Sequence, residues 1–196
     1  MQFRPSETVN YNGASTNVSI NVLPPNTTLT NFPATPSNIT STSFSFTSTK
    51  SGGPFECSLD SPTFTACTSP KSYTGLAEGS HTFQVRATDG LGHVDPTPAA
   101  RVWVIDITKP NTTIASGPQG LTNSTSAQFT FTATEAATFQ CSLDGRAFTA
   151  CTSGVTYSSL SVASHTFQVR AVDLAGNIDP SPANRNWSID LTPPDT

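Results

Sequence analysis

His81-Thr82-Phe83-Gln84-Val85-Arg86-Ala87 decides the fold. Its odd positions suit a core and its even positions suit water, which is the period of a half-buried strand. The same stretch returns unchanged as His165-Thr166-Phe167-Gln168-Val169-Arg170-Ala171. Outward from it, residues 55–106 match residues 139–190 at an offset of 84, with 31 of 52 positions identical and no gap. Upstream the offset becomes 85. Pro25-Asn26-Thr27-Thr28 matches Pro110-Asn111-Thr112-Thr113, and Phe44-Ser45-Phe46 matches Phe129-Thr130-Phe131. One residue is therefore inserted between Lys50 and Pro54. A period near 85 is too long for a solenoid unit and has the size of a small self-contained domain. Two such copies in series point to a modular array rather than to an enzyme.

Alternation elsewhere extends the same reading. Phe44/Phe46, Phe55/Cys57/Leu59 and Trp103/Ile105 each place apolar residues at every second position. The first repeat then predicts seven strands, at 26–30, 43–48, 55–59, 64–68, 72–75, 81–88 and 100–105. Seven short alternating strands in ~85 residues is the pattern of an immunoglobulin-like or fibronectin-like sandwich. Composition agrees. Ser and Thr supply 57 of 196 residues, with 16 Pro and 12 Gly, so long helices are disfavoured. Net charge is −4 with no basic cluster, which excludes the electrostatic footprint of a nucleic-acid binder. No apolar run reaches the ~18 residues of a membrane span, and Met1-Gln2-Phe3-Arg4-Pro5 opens no signal peptide.

Four cysteines form two pairs of equal spacing, Cys57/Cys67 and Cys141/Cys151. Zinc ligand pairs usually lie closer together. Here the gap brackets a turn, Asp60-Ser61-Pro62 in one copy and Asp144-Gly145 in the other, and Asp-Gly between short β segments is a strong hairpin signal. A hairpin sets the cysteines opposite each other at a bridgeable distance. Both pairs are expected as disulfides, each contributing roughly 2–3 kcal/mol on the chain-entropy model. Free buried thiols are the alternative. Disulfides place the chain in an oxidising, extracellular setting.

Several motifs now combine: Phe-x-Cys-Ser-Leu-Asp at 55–60 and 139–144, Phe-Thr-x-Cys-Thr-Ser at 64–69 and 148–153, and Ser-His-Thr-Phe-Gln-Val-Arg-Ala-x-Asp at 80–89 and 164–173. Together they resemble tandem bacterial-type Ig-like repeats of large secreted and cell-surface proteins, over about residues 25–192. That resemblance implies an all-β chain of two tandem immunoglobulin-like or fibronectin III-like β-sandwiches. The second repeat keeps the Leu143-Asp144-Gly145 turn, where the first has Asp60-Ser61-Pro62. It also loses the glycines of the Gly75-Leu76-Ala77-Glu78-Gly79 segment, reading Ser159-Leu160-Ser161-Val162-Ala163.

The expected organisation is a β-hairpin over 1–23, Ig-like repeat 1 over 24–108, Ig-like repeat 2 over 109–192, and the start of a linker over 193–196. Residues 1–23 do not match the repeat. They read as strands 7–11 and 16–22 joined through Asn12-Gly13, like the last hairpin of an upstream Ig-like domain or an inter-subunit segment. Leu191-Thr192-Pro193-Pro194-Asp195-Thr196 resembles Ile107-Thr108-Lys109-Pro110-Asn111-Thr112, where a third repeat would start. Strand ends near Asp106 and Asn111 predict a short, stiff linker at Pro110, with the sandwiches end to end.

Candidate sites are few. His81 and His165 share one repeat position, in phase with the core. In fibronectin-like sandwiches a similar position carries a corner tyrosine, and an imidazole can make the same hydrogen bond. Metal binding or proton transfer is the alternative. His93, replaced by Asn177, reads as a turn residue. Asp89, Asp95 and Asp106 recur as Asp173, Asp179 and Asp190; turn and cap roles fit them, with calcium as a weaker alternative because the spacing matches no known calcium loop. Asn17, Asn26, Asn38, Asn111, Asn123 and Asn186 carry glycosylation sequons, a mild excess over composition, and Asn186 is expected to face solvent. No catalytic constellation and no cofactor motif is evident.

The expected function is non-enzymatic: extracellular spacer repeats of a surface protein, adhesin or filament. Partners are neighbouring Ig-like domains or identical subunits through the N-terminal hairpin, with cell-surface glycans or proteins as further candidates. A glycan- or protein-binding module, or accessory domains of a secreted hydrolase, are the other readings. An exposed aromatic platform would favour the binder. Nearly every aromatic sits in core phase, with Phe32, Tyr73 and Tyr157 the least certain.

Overall fold

A computed structural model describes residues 10–11, 14–15, 23–50 and 52–193. Every described element is a strand. Asn10–Tyr11 (β1) and Ala14–Ser15 (β2) pair across Asn12-Gly13. The rest of the expected N-terminal hairpin lies outside the described residues. In the first repeat the strands are Thr27–Asn31 (β3), Thr42–Ser48 (β4), Phe55–Leu59 (β5), Thr65–Cys67 (β6), Lys71–Tyr73 (β7), Gly79–Ala87 (β8) and Ala99–Ile105 (β9). These are the seven expected from the sequence, shifted by a residue or two at their ends. The second repeat holds Thr112–Ser116 (β10), Gly120–Thr122 (β11), Ala127–Ala133 (β12), Ala137–Leu143 (β13), Thr149–Cys151 (β14), Val155–Tyr157 (β15), Ser164–Asp173 (β16) and Ala183–Ile189 (β17).

The sheet orders are β3-β4-β7 and β6-β5-β8-β9 in the first repeat, and β10-β12-β15 and β11-β17-β16-β13-β14 in the second. The alternation read from the sequence is the alternation of burial: β8 buries His81, Phe83, Val85 and Ala87. One strand was not expected. β11 runs parallel to β17, with Leu121 opposite Ser188. Among the described residues the first repeat has an isolated parallel bridge there, Ser37 to Ile105. A three-residue parallel segment carries too little side-chain periodicity to be read from sequence.

The packing falls into two compact units. One comprises Met1–Asn31, Phe44–Lys71 and Phe83–Arg101; the other comprises Phe32–Ser43, Ser72–Thr82 and Val102–Thr196. The first repeat contributes to both. In the first unit, Phe44 stacks on Phe83 at 4.0 Å between ring centres, and Phe46 meets Phe55 edge-on at 4.9 Å. In the second, Phe129 stacks on Phe167 at 4.0 Å and Phe131 meets Phe139 at 4.9 Å. Around that pair lie Ala127, Cys141, Val169, Trp187 and Ile189, all buried. Offset and edge-on ring pairs add to the burial itself.

Both hairpins are bridged. Cys57–Cys67 and Cys141–Cys151 each span 5.8 Å between Cα atoms, but the cysteines are not directly opposite as expected: Phe55 faces Cys67 and Thr65 faces Cys57, with Phe139 and Thr149 in the same places in the second copy, so each bridge runs diagonally across its hairpin. Asp144 adopts φ 51° and Gly145 φ 72° at the turn. That left-handed conformation is where Asp, Asn and Gly are tolerated, so the Asp144-Gly145 pair fits its turn.

Candidate functional sites

The recurrent polar residues are the place to look for chemistry. Asp179, on the approach to β17, is almost fully buried. Its Oδ2 accepts the Thr112 N–H at 2.8 Å, and its Oδ1 accepts the Ser181 N–H at 2.8 Å and the Ser181 hydroxyl at 3.1 Å. The Thr112 hydroxyl in turn accepts the Ala171 N–H at 2.8 Å. Asp95 repeats the arrangement with Thr27, Thr97 and Ala87 at 2.7, 2.9 and 2.9 Å. Burial pushes both carboxyls up, but the convergent hydrogen bonds outweigh it and hold them below the usual carboxylate range.

Asp89 and Asp173 organise the following turns. Asp89 accepts from the Leu91 and His93 N–H groups and from the His93 ring, each at 2.9 Å. The His93 hydrogen bond is the main reason its carboxyl titrates low. Asp173 accepts the Asn177 N–H at 2.8 Å and its side-chain amide at 2.7 Å. The same amide also donates to the Asp106 carbonyl at 2.8 Å. Asp106 and Asp190 cap the exits, accepting from Thr108 and Thr192 at 3.1 and 2.8 Å.

Of the six aspartates considered for calcium, the structure brings Asp106 and Asp173 together and leaves Asp89, Asp95, Asp179 and Asp190 engaged in turn hydrogen bonds. Glu135, which sequence reading did not include, joins the pair. One carboxylate oxygen from each lies within 4.8 Å of the others, and all three belong to the second compact unit. Burial and then the charges of Asp106, Asp173 and Glu78 push the Glu135 carboxyl up. Such a cluster can attract a cation, but Asp173 is already spent on Asn177.

His81 and His165 lie near the starts of β8 and β16. The His81 Nε2 lies 2.8 Å from the Ala77 carbonyl, and the ring packs on Trp103 at 5.3 Å. The His165 Nε2 lies 3.0 Å from the Ser161 carbonyl, and the ring stacks on Trp187 at 5.3 Å. Asp144, missed in the sequence reading, faces the His165 Nδ1 at 2.9 Å and accepts the Thr166 N–H at 2.9 Å. Burial pushes the Asp144 carboxyl up; the Thr166 and His165 hydrogen bonds and the nearby Arg146 charge bring it below the usual range. Its persistence at one position in both repeats was the available signal.

The expectation that aromatics are nearly all in core phase needs one correction. Phe64 and Phe148 are only half-buried and lie under arginines. The Arg86 guanidinium carbon is 4.2 Å from the Phe64 ring centre, and that of Arg170 is 4.2 Å from Phe148. Of the three least certain, Phe32 is about half exposed, Tyr73 is partly buried, and Tyr157 packs against Phe129 and Phe167. Among the sequons, Asn26, Asn38, Asn111, Asn123 and Asn186 are exposed, and Asn17 lies outside the described residues. Among the described residues no helix is long and apolar enough to cross a membrane.

No family model and no curated protein matches this chain. Solved structures do. The fibronectin(III)-like modules of Clostridium thermocellum CbhA align with a TM-score of 0.53 at 18% identity, over 87% of this chain and 98% of that one. A 1.5-MDa bacterial ice-binding adhesin aligns at 0.45 and 12% identity, over 87% of this chain and 66% of the adhesin chain. The FN1–FN3 domains of chicken CNTN1 align at 0.31 and 12%, over 85% and 67%. The first likeness shows the fold: a fibronectin III-like, immunoglobulin-like β-sandwich.

Proposed function

We propose that this chain is a pair of extracellular structural modules, repeats 24–108 and 109–192, serving as spacer segments of a surface protein, adhesin or filament. One observation carries the reading. The polar residues that recur between the copies are consumed in holding each sandwich, and in the same way twice: Asp95 and Asp179 bind the first strand, Asp89 and Asp173 shape a turn, and His81 and His165 close a corner. A catalytic site would leave such groups converging on open space. The hairpin disulfides favour an oxidising compartment. Residues 1–23 are the natural contact to a neighbouring Ig-like domain or an identical subunit.

Stretching single molecules tests the two-module reading. Two unfolding events of similar length are expected, and reduction should lengthen each by roughly 30 Å, since the ten-residue separation behind each bridge spans ~35 Å when extended and the bridge itself already covers 5.8 Å. One event spanning the chain would reject it. A second reading, adhesion to glycan or protein, draws on the Phe64–Arg86 and Phe148–Arg170 stacks, which present one aromatic–cation surface twice. Binding that Phe64→Ala and Phe148→Ala abolish, with the fold intact, would favour it over the spacer.

A further inference from the structure

His165 uses both of its ring nitrogens. Nε2 faces the Ser161 carbonyl at 3.0 Å and Nδ1 faces the Asp144 carboxylate at 2.9 Å. A carbonyl and an ionised carboxylate only accept, so the ring satisfies both only when each nitrogen carries a proton. A neutral imidazole would turn a lone pair on one of them. The indole of Trp187 beneath the ring suits a cation as well. The Ser161 carbonyl and Asp144 push the histidine up against the opposing effect of burial. The charged groups at this corner are Asp144 and, acting on it from the same turn, Arg146; β17 contributes Trp187.

The loop tied down by this ring is strained. Ser159 adopts φ 56°, whereas its counterpart in the first repeat is Gly75 at φ 66°. A side chain in the left-handed region crowds the following carbonyl, a conflict glycine avoids. The neighbouring ties are the Leu160 N–H to the Thr125 carbonyl at 3.0 Å and the Ile189 N–H to the Ala163 carbonyl at 2.9 Å. Between them, Ser161 is held through its carbonyl by the imidazole.

We propose that the imidazolium of His165 is a proton-operated latch, clamping the strained loop 158–163 of the second repeat to the 144–146 turn and releasing it at alkaline pH. The latch goes beyond the spacer reading and does not depend on it. Its sign follows from linkage. The folded state binds the proton more tightly than the unfolded chain, so the clamp is complete below the ordinary histidine value near 6.5. It is lost as pH rises through the elevated folded value.

Amide hydrogen exchange on the full chain, corrected for intrinsic rates between pH 6 and 9, tests this together with ring ¹⁵N shifts of His165. The expected result is a doubly protonated ring at pH 6, with protection of the Leu160 and Ile189 amides, the two donors that tie the loop, falling by about tenfold for each unit of folded-state elevation as the ring titrates. His165→Gln should show weak protection that does not respond to pH. Ser159→Gly should recover protection at alkaline pH by removing the strain. If His165→Gln fails to fold, Asp144→Asn serves: the ring and the loop should then both titrate at lower pH. A neutral ring at pH 6 would overturn the latch, as would loop protection that ignores the titration or survives unchanged in His165→Gln.

Discussion

Asp179 offers the sharpest test of how these modules are held. Replacing it with Asn keeps the shape, removes the charge, and aims an NH₂ group at a backbone donor. The side chain is 2% exposed and receives two backbone N–H groups and one hydroxyl. Hydrogen bonds to a charged acceptor are worth about 1.5–3 kcal/mol each, and a buried donor left unpaired costs about 1–3 kcal/mol. Asp179→Asn reverses one contact and weakens the others, for a loss of roughly 2–4 kcal/mol. At ~4–8 °C per kcal/mol for a domain of this size, the second repeat should melt roughly 8–32 °C lower.

The pH dependence gives an independent reading. The folded Asp179 carboxyl sits below its unfolded value near 3.9. Its contribution is therefore present above that unfolded value and is lost as pH falls through the lower folded value. Calorimetry from pH 2.5 to 7 should show the difference between wild type and Asp179→Asn shrinking toward the acid end. Asp95→Asn should do the same to the first repeat, through the matching bonds to Thr27 and Thr97. A variant melting within a degree or two of wild type would refute the reasoning. So would a difference that stays constant into acid.

Three further outcomes follow from particular contacts. Gly53→Ala should cost well over ~2 kcal/mol, because its Cβ would fall 1.8 Å from the Thr88 carbonyl oxygen, a backbone atom that cannot swing away; urea titration of the first repeat reads this out. His81→Ala should destabilise by about 1–3 kcal/mol through the lost Ala77 hydrogen bond and Trp103 packing; full thermal stability with loss of a bound metal would reverse the structural reading. Glu56→Gln should change stability by less than ~0.5 kcal/mol in low salt, since its ion pair with Arg86 is partly solvated; a loss several times larger would show that the charge matters.

Much of the fold was legible because apolar alternation and burial share one cause: every second side chain must leave water. Phe83, Val85 and Ala87 show it, and their buried counterparts Phe167, Val169 and Ala171 repeat it. The disulfides were legible because the ten-residue spacing brackets a turn. The partners of the corner histidine were not. Asp144 lies 21 residues from His165, and only the closed hairpin brings them together. The Asp106–Glu135–Asp173 cluster escaped for a similar reason. Lys50 stands where Glu135 stands in the other copy, so the repeat itself gave no cue. Turn aspartates were recognised as turn formers, but sequence could not say that Asp95 and Asp179 reach sixty-odd residues back to the first strand of each module.

The duplication also separates geometry from charge on the outward face. Arg86 is held by Glu56 at 2.9 Å, and Arg170 is held by Gln140 at 2.9 Å. One partner is ionised and the other is neutral, yet both guanidinium carbons sit 4.2 Å above a phenylalanine ring. An exposed ion pair is worth little in water, so its loss in the second copy carries little penalty. What both copies retain is an acceptor that aims the arginine and a ring that receives it. The cation–ring stack also covers the half-buried Phe64 and Phe148 with a hydrated group, limiting the apolar surface open to unwanted association. The adhesion reading proposed above would place its ligand on this same stack, present at equivalent positions in both copies. The spacer and adhesion readings therefore diverge at this face, and the phenylalanine-to-alanine variants distinguish them.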